Sequence, residues 1–342
     1  MSRGFSALDT MVEQEGTVKL RHRRQFLHLT ASVAMLPAVS RGASAQAYPS
    51  RPVRFLVPFA PGGGTDYAAR AVGIYLSHAF GQQVIVENKP GAGGLIGIEA
   101  AAKSPPDGYT ALISADALAS APAVTNLNTD YVKDLVPVIH VASNPLILAV
   151  HPSLGANSLD ELIRAAKIQP GMGYATSGVG TDQHFAGEWF ARIAGLKLDH
   201  VPYRGAGQAI NDLVAGHVKI AILGPPSLLP HYRAGTLRFL AQSTATRSPN
   251  LPEVPTFEES GIKDLVIELW QGAFVPARTP PTIIARLQLE MGKSLADQAT
   301  RDSLLQQAME PIGGSAEQFA RLVRADTEKY ARLAKDLKIK TE

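Results

Sequence analysis

The sequence predicts an α/β protein built as two lobes, and three observations carry that reading. Strand, glycine loop and amphipathic helix alternate between residues 53 and 114. The alternation starts afresh after a long apolar stretch at 136–150. Near Trp270 the chain turns back through Gly272-Ala-Phe-Val-Pro276 toward the first set. Short strand–helix–strand successions of this kind place strands in parallel in one sheet. The expected division is 48–149 with 272–342 as the first lobe and 150–271 as the second. A chain of 342 residues is long enough to bury a core in each.

Residues 53–59 read as an apolar strand, followed by the loop Ala60-Pro-Gly-Gly-Gly-Thr-Asp66. A helix follows to about Phe80, with Ala69, Val72, Leu76 and Ala79 on one face, and Gly81 ends it. A strand at 83–87 leads to Gly91-Ala-Gly-Gly94, which opens a second helix toward Lys103. Asp107-Gly108 then turns the chain into a strand at 110–114.

In the second set, Ser158-Leu-Asp-Glu161 is a capping box for a helix to about Ile168. A strand at 173–176 and the loop Ser177-Gly-Val-Gly-Thr-Asp182 lead into a helix over 184–194. That helix should turn Ala186, Trp189, Phe190 and Ile193 inward and end at Gly195. Further strands are expected at 200–203, 218–223 and 237–243, with a helix over 208–215. After the return, helices are expected over 281–296 and 301–309. A last helix, opened by the capping box Ser315-Ala-Glu-Gln318, should bury Phe319, Leu322 and Val323.

The formal charge of +3 belongs to the N-terminus. Residues 1–47 hold six Lys/Arg against three Asp/Glu, leaving 27 of each in the remainder. No basic stripe is left to support nucleic-acid binding. Residues 21–47 run from Arg-His-Arg-Arg through an apolar stretch at 29–39 to Ala43-Ser-Ala45 and Ala45-Gln-Ala47. Charged, apolar and small-residue regions in that order read as an export signal cleaved near Gln46 or Tyr48, placing the mature protein in the periplasm. Arg23-Arg24 before Gln-Phe-Leu is twin-arginine-like, while His28 is equally at home in a general secretory signal. The eleven apolar positions fall short of the about 20 that span a bilayer. With no cysteine in the chain, disulfides, thiolate metal sites and cysteine nucleophiles are excluded.

Gly64-Thr65-Asp66 and Gly180-Thr181-Asp182 form an internal echo, one in each lobe. Each follows a strand and a glycine loop and opens a helix. A helix N-terminus carries free N–H groups and about half a positive charge, so two of them across a cleft would grip an acid. The same residues read equally as helix caps. A bulky residue at Gly64 or Gly180 is expected to weaken such binding with the fold intact.

The loops extend the argument. In order they read Tyr48-Pro-Ser-Arg-Pro52, Val57-Pro-Phe-Ala-Pro-Gly-Gly-Gly-Thr-Asp66, Val86-Glu-Asn-Lys-Pro-Gly-Ala-Gly-Gly94 and Pro106-Asp-Gly-Tyr109. His151-Pro152, Gly180-Thr-Asp-Gln-His184, His200-Val-Pro-Tyr-Arg-Gly205, Arg247-Ser-Pro249 and Leu251-Pro-Glu-Val-Pro-Thr256 follow. This series resembles the Bug family, the extracytoplasmic receptors of tripartite tricarboxylate transporters, over essentially the whole chain from Tyr48. The resemblance implies a periplasmic-binding-protein-like type II fold, two α/β lobes with a ligand cleft between them. It further implies a monomer that binds a di- or tricarboxylate, an aromatic acid or an acidic amino acid and hands it to membrane subunits, without a cofactor. The implied ligand-binding residues are Phe59, Gly63, Gly64, Thr65 and Asp66 from the first lobe. Ser177, Thr181, His184, Tyr203 and Gly205 come from the second, with Asp116 and Trp270 near the cleft mouth. Many relatives carry a polar or acidic residue where this chain has Leu223-Gly224-Pro225, which changes what meets the distal end of a ligand.

Enzymatic readings find little support. Gly62-Gly-Gly64 lacks the Gly-Lys-Ser/Thr ending of a phosphate loop, and Asn88-Lys-Pro90 interrupts the dinucleotide-like glycines at 91–97. Ser177 is not in a nucleophile elbow, and the nine histidines show no metal-ligand spacing. The alternative within the receptor class is a protein that presents its ligand state to a membrane sensor without transport.

Overall fold

The structure, a computed structural model, describes residues 48–125 and 131–339. The expected export signal at 1–47 lies outside the described residues. The chain starts with β1 (Val53–Val57), α1 (Gly64–Phe80), β2 (Val84–Asn88), α2 (Leu95–Ala102) and β3 (Thr110–Ala115). The short α3 (Ala117–Ser120) and α4 (Tyr131–Asp134) precede the long β4 (Leu135–Pro145). A second series holds β5 (Ile147–Val150), α5 (Leu159–Ile168), β6 (Met172–Thr176), α6 (Asp182–Ala194) and β7 (Leu198–Pro202). It continues through α7 (Ala206–Val214), β8 (Ile220–Leu223), α8 (Pro225–Arg233) and β9 (Arg238–Gln242). The return comprises β10 (Glu268–Pro276), α9 (Pro281–Ala296), α10 (Gln298–Leu305), β11 (Glu310–Gly313) and α11 (Ala316–Leu337).

These strands form two sheets, in the orders β11-β4-β10-β3-β1-β2 and β7-β6-β8-β5-β9. The expected parallel pairing holds for β2-β1-β3 and for β7-β6-β8. The strands by which the chain changes sheet are antiparallel to their neighbours. The reason is connectivity: a strand reached without a helical crossover enters from the opposite end. Residues 147–149, expected with the first lobe, pair in the second sheet. Residues 268–271, expected with the second, pair in the first.

Local signals explain most helix ends. Gly81 and Gly195 close α1 and α6 in the left-handed region, at φ 61° and 63°. Ser315 and Gln318 form the full capping box of α11. At α5 only half the expected box exists: Ser158 accepts the amide of Glu161, but the Glu161 carboxylate accepts the amide of Asn157 instead of that of Ser158. The helix expected over 301–309 starts earlier, because the Asp297 carboxylate caps the amide of Thr300. It also ends earlier, at Leu305, and the residues just beyond 309 form β11, which extends the first sheet against β4. Helix α8 was not expected; Pro225 and Pro226 occupy its first turn, where the missing N–H groups have no intrahelical partner to lose. In α6, Ala186 and Phe190 are buried as expected, while Ile193 is 39% exposed. Phe185 is buried in its place, packed on Tyr330 of α11 at 4.9 Å.

The C-terminal helix docks through Phe319, which stands edge-on to Trp270 at 5.2 Å and contacts Phe274 and His140. Truncating a buried phenylalanine leaves a cavity that neighbours fill only in part. Phe319→Ala is expected to lower stability by about 3–5 kcal/mol, read as a shift of the urea midpoint.

Candidate functional site

A small cavity of about 30 Å³ lies between the two lobes. Its wall takes Phe59, Gly63, Gly64 and Thr65 from the start of α1, and Ser177, Thr181, Asp182 and Gln183 from the start of α6. Ala206 opens α7 and Gly224 precedes α8, so four helix beginnings converge on one space. Ala115, Asn144, Leu269 and Gln271 complete it from the strands that run toward the lobe junction. No Lys, Arg or His among the described residues is on this wall. Among the described residues, no group of three or more His, Asp or Glu is placed to hold a metal ion.

The first-lobe loop is held by Asp66. Its carboxylate accepts the amide of Gly62 at 3.1 Å, two hydrogen bonds from Arg70, and Asn88 Nδ2 at 2.9 Å. Asn88 also reaches the carbonyl of Phe59 at 3.0 Å, tying the loop to the end of β2. Burial alone would raise this carboxyl, but the bonds from Arg70, Asn88 and Gly62 hold it below its ordinary value. Asp66 therefore shapes the loop from behind and is not on the cavity wall.

The echoed tripeptides are out of phase. Gly63 is the N-cap of α1, so Thr65 lies inside the helix. Thr181 is itself the N-cap of α6, its hydroxyl facing the amide of His184 at 3.4 Å. Asp182 is consequently two positions nearer the helix start than Asp66. It turns to Asp116, at the head of α3, close enough for the two carboxyls to affect each other's protonation. Asp116 Oδ1 and Asp182 Oδ2 are buried without a hydrogen-bond partner, and a single proton held between the two carboxyls would satisfy both. The other Asp116 oxygen accepts the Tyr330 hydroxyl at 2.8 Å. Asp326 lies close by, paired with Lys329 at 2.7 Å and accepting Trp270 Nε1 at 2.7 Å. Burial pushes Asp182 up to about 7 and, with the charge of Asp182 added, Asp116 well above the carboxylate range.

Six of the twelve residues implied by the resemblance are off the wall, each with a structural assignment. Besides Asp66 and Asp116, His184 is stacked on His200 at 3.9 Å and accepts the amide of Gly180 at 3.3 Å, steadying the 177–181 loop. Burial holds both rings neutral, His184 at about 4 and His200 at about 3. Tyr203 donates to Asp212 at 2.6 Å and faces a separate depression with His217 and Met172. Gly205 is a point of lobe-to-lobe contact, and Trp270 belongs to the aromatic core. Conversely, Asn144, Leu269 and Gln271 reach the wall without a glycine motif to announce them, while Gln183 lies within the quoted motif at 180–184 but was not singled out. An apolar strand interrupted by a lone amide was the available signal.

The lobes touch at the cavity rim. The amide of Ala60 donates to the carbonyl of Arg204 at 3.3 Å. A Cβ on Gly207 would stand 2.3 Å from the carbonyl oxygen of Pro61, so this approach requires glycine. Gly64 has ordinary space, its nearest neighbour being Pro226 at 3.4 Å. Gly180 differs: at φ +77° and with Val124 2.9 Å from a Cβ, a bulky residue there strains the fold itself.

Comparison with known proteins places this architecture in context. The family model for the tripartite tricarboxylate transporter family receptor matches residues 68–339. A protein encoded in the tcbD-tcbE intergenic region of Pseudomonas sp. strain P51 is 36% identical over 308 residues, covering 88% of this chain and 91% of that one. BugT of Bordetella pertussis is 36% identical over 300 residues, 86% of this chain and 91% of that one. Rpa4515 of R. palustris, solved with adipate, superposes with a TM-score of 0.83 at 32% identity, over 86% of this chain and 100% of that one. MatC of Rhodopseudomonas palustris, solved with malate, gives 0.80 at 26% identity, over 84% and 99%.

The carboxyl pair sets a pH dependence. An acid whose folded value exceeds its unfolded one stabilises the fold fully below the unfolded value and loses that contribution as pH rises through the folded one. For Asp182 the window runs from 3.8 to about 7. The buried imidazoles of His140, His184 and His200 act oppositely, losing stability as pH falls from 6.5 toward about 4 or 3. Asp182→Asn removes only the first effect. The melting temperature of the variant minus that of the wild type should therefore grow as pH rises toward about 7. A difference that stays flat across the window would contradict the shared proton.

Proposed function

The chain belongs to the family of tripartite tricarboxylate transporter receptors, and on that footing we propose that it closes over a small organic carboxylate outside the cytoplasmic membrane and delivers it to membrane transporter subunits. The family is one of receptors that bind and release, and not of enzymes. The observation that carries the reading is the chemistry of the wall. Helix starts from both lobes face one cavity from which every cationic side chain is absent. Backbone N–H groups with the dipole behind them are then the donors for an anion.

In this reading Gly63, Gly64, Thr65, Ser177 and Thr181 contact a carboxylate, and Phe59 and Leu269 cover its carbon chain. Asp66, Asp116, His184, Tyr203, Gly205 and Trp270 stand behind them, fixing the backbone that binds. A shared proton on the Asp116–Asp182 pair limits the repulsion that a carboxylate on the wall would otherwise exert. Closure follows because only the closed lobes bring both helix starts to one ligand. Adipate and malate in two solved relatives support the ligand class. Export through the 1–47 signal would bring the receptor to its ligand.

A thermal-shift screen of small acids against their amides tests the reading. Ligand at 100 times its Kd adds about 2.7 kcal/mol, a rise of a few degrees. At least one acid should give it and its amide should not. Closure is tested by Gly207→Ala, which carries no backbone strain but sets a methyl against the Pro61 carbonyl. Affinity for the acid should fall at least about tenfold while the ligand-free melting temperature stays within about 2 degrees. Unchanged affinity would remove the rim contact from the mechanism.

A further inference from the structure

We propose that Gln271 makes this site selective for carboxylates that also carry a hydroxyl, by offering the ligand a buried hydrogen-bond acceptor; the inference rests on the carboxylate-receptor reading above. Gln271 lies in β10, is fully buried and lines the cavity. Its orientation is fixed by a chain of bonds that ends on the backbone. Asn144 Nδ2 donates to the carbonyl of Pro145 at 2.9 Å, and that carbonyl can only accept. Asn144 Oδ1 is thereby left facing Gln271, whose Nε2 donates to it at 3.0 Å. Turning either amide over would set two donors or two acceptors against each other. Gln271 Oε1 therefore remains an acceptor, buried with no partner in the protein.

A buried acceptor without a donor costs about 1–3 kcal/mol. In the closed cleft a ligand group that donates to this oxygen removes that cost. A carboxylate oxygen cannot supply it and is repelled. A hydroxyl can donate while the carboxylate keeps to the helix starts. An ammonium would need a charged partner as well, and the one ionisable side chain on the wall, Asp182, is engaged with Asp116. Gly224 leaves the space beside this amide pair open; a Cβ there would stand 3.2 Å from Asn144 Nδ2.

The test is calorimetric titration of the purified protein with matched acids: malate and succinate, 2-hydroxyglutarate and glutarate, citrate and tricarballylate. In at least one pair the hydroxy acid should bind at least about tenfold more tightly than its deoxy partner. In Gln271→Leu, or in Gln271→Met if the first does not fold, that ratio should fall toward one while the deoxy acid retains its affinity. Equal binding within every pair, or discrimination that survives both substitutions, would overturn the role of Gln271. Aspartate binding more tightly than malate would replace the hydroxyl by an ammonium and overturn it too. Should none of these acids bind, the carboxylate reading itself fails, and this inference with it.

Discussion

Two strand crossings govern this molecule. The chain leaves the first sheet at the end of β4 and re-enters it along β10, and these strands pair antiparallel from Glu268 opposite Pro145 to Pro276 opposite Leu135. Everything in the second lobe hangs from that ladder. Because Asn144 and Gln271 sit where the ladder meets the second lobe, the junction is also the floor of the cavity. The crossing between the lobes and the floor of the cavity are therefore built from the same residues. A register slip there would turn the wall-facing amides to the opposite face of the sheet.

From that floor the two lobes present helix starts that look alike in sequence and differ in structure. Gly-Thr-Asp occurs in both, yet one helix begins at its glycine and the other at its aspartate. Two residues of phase send Asp66 outward to Arg70 and Asn88, and send Asp182 to a second carboxyl across the lobe boundary. The first arrangement is a clamp that shapes a loop. The second is a proton-holding contact between α3 of one lobe and α6 of the other, backed by Tyr330 of the C-terminal helix. That helix is thus more than a cover for the sheet: through Phe319, Asp326 and Tyr330 it joins the aromatic core to the lobe boundary.

Electrostatics explain the absence of a cationic clamp. Four helix beginnings directed at one small space supply positive potential without a side chain, and glycines at the rim let the lobes close to backbone distance. An arginine in the same position would bring length, hydration and its own flexibility. Backbone donors are fixed by the helices that carry them.

The sequence by itself determined the α/β class, the ends of most helices and the two glycine loops, because these rest on local periodicity, turn chemistry and capping. It also determined that α1 and α6 would face something anionic or be capped. Strand β11, helix α8 and the sheet membership of 147–149 and 268–271 were decided by tertiary structure, since short strands take their identity from the neighbour they pair with. The same holds at the cavity. Its glycines were legible because left-handed turns and close approaches leave a compositional mark. Asn144, Leu269 and Gln271 leave none, being single residues on elements far apart in sequence. Only folding brings them to one wall, and only the hydrogen-bond chain from the Pro145 carbonyl decides which atom of Gln271 is left without a partner.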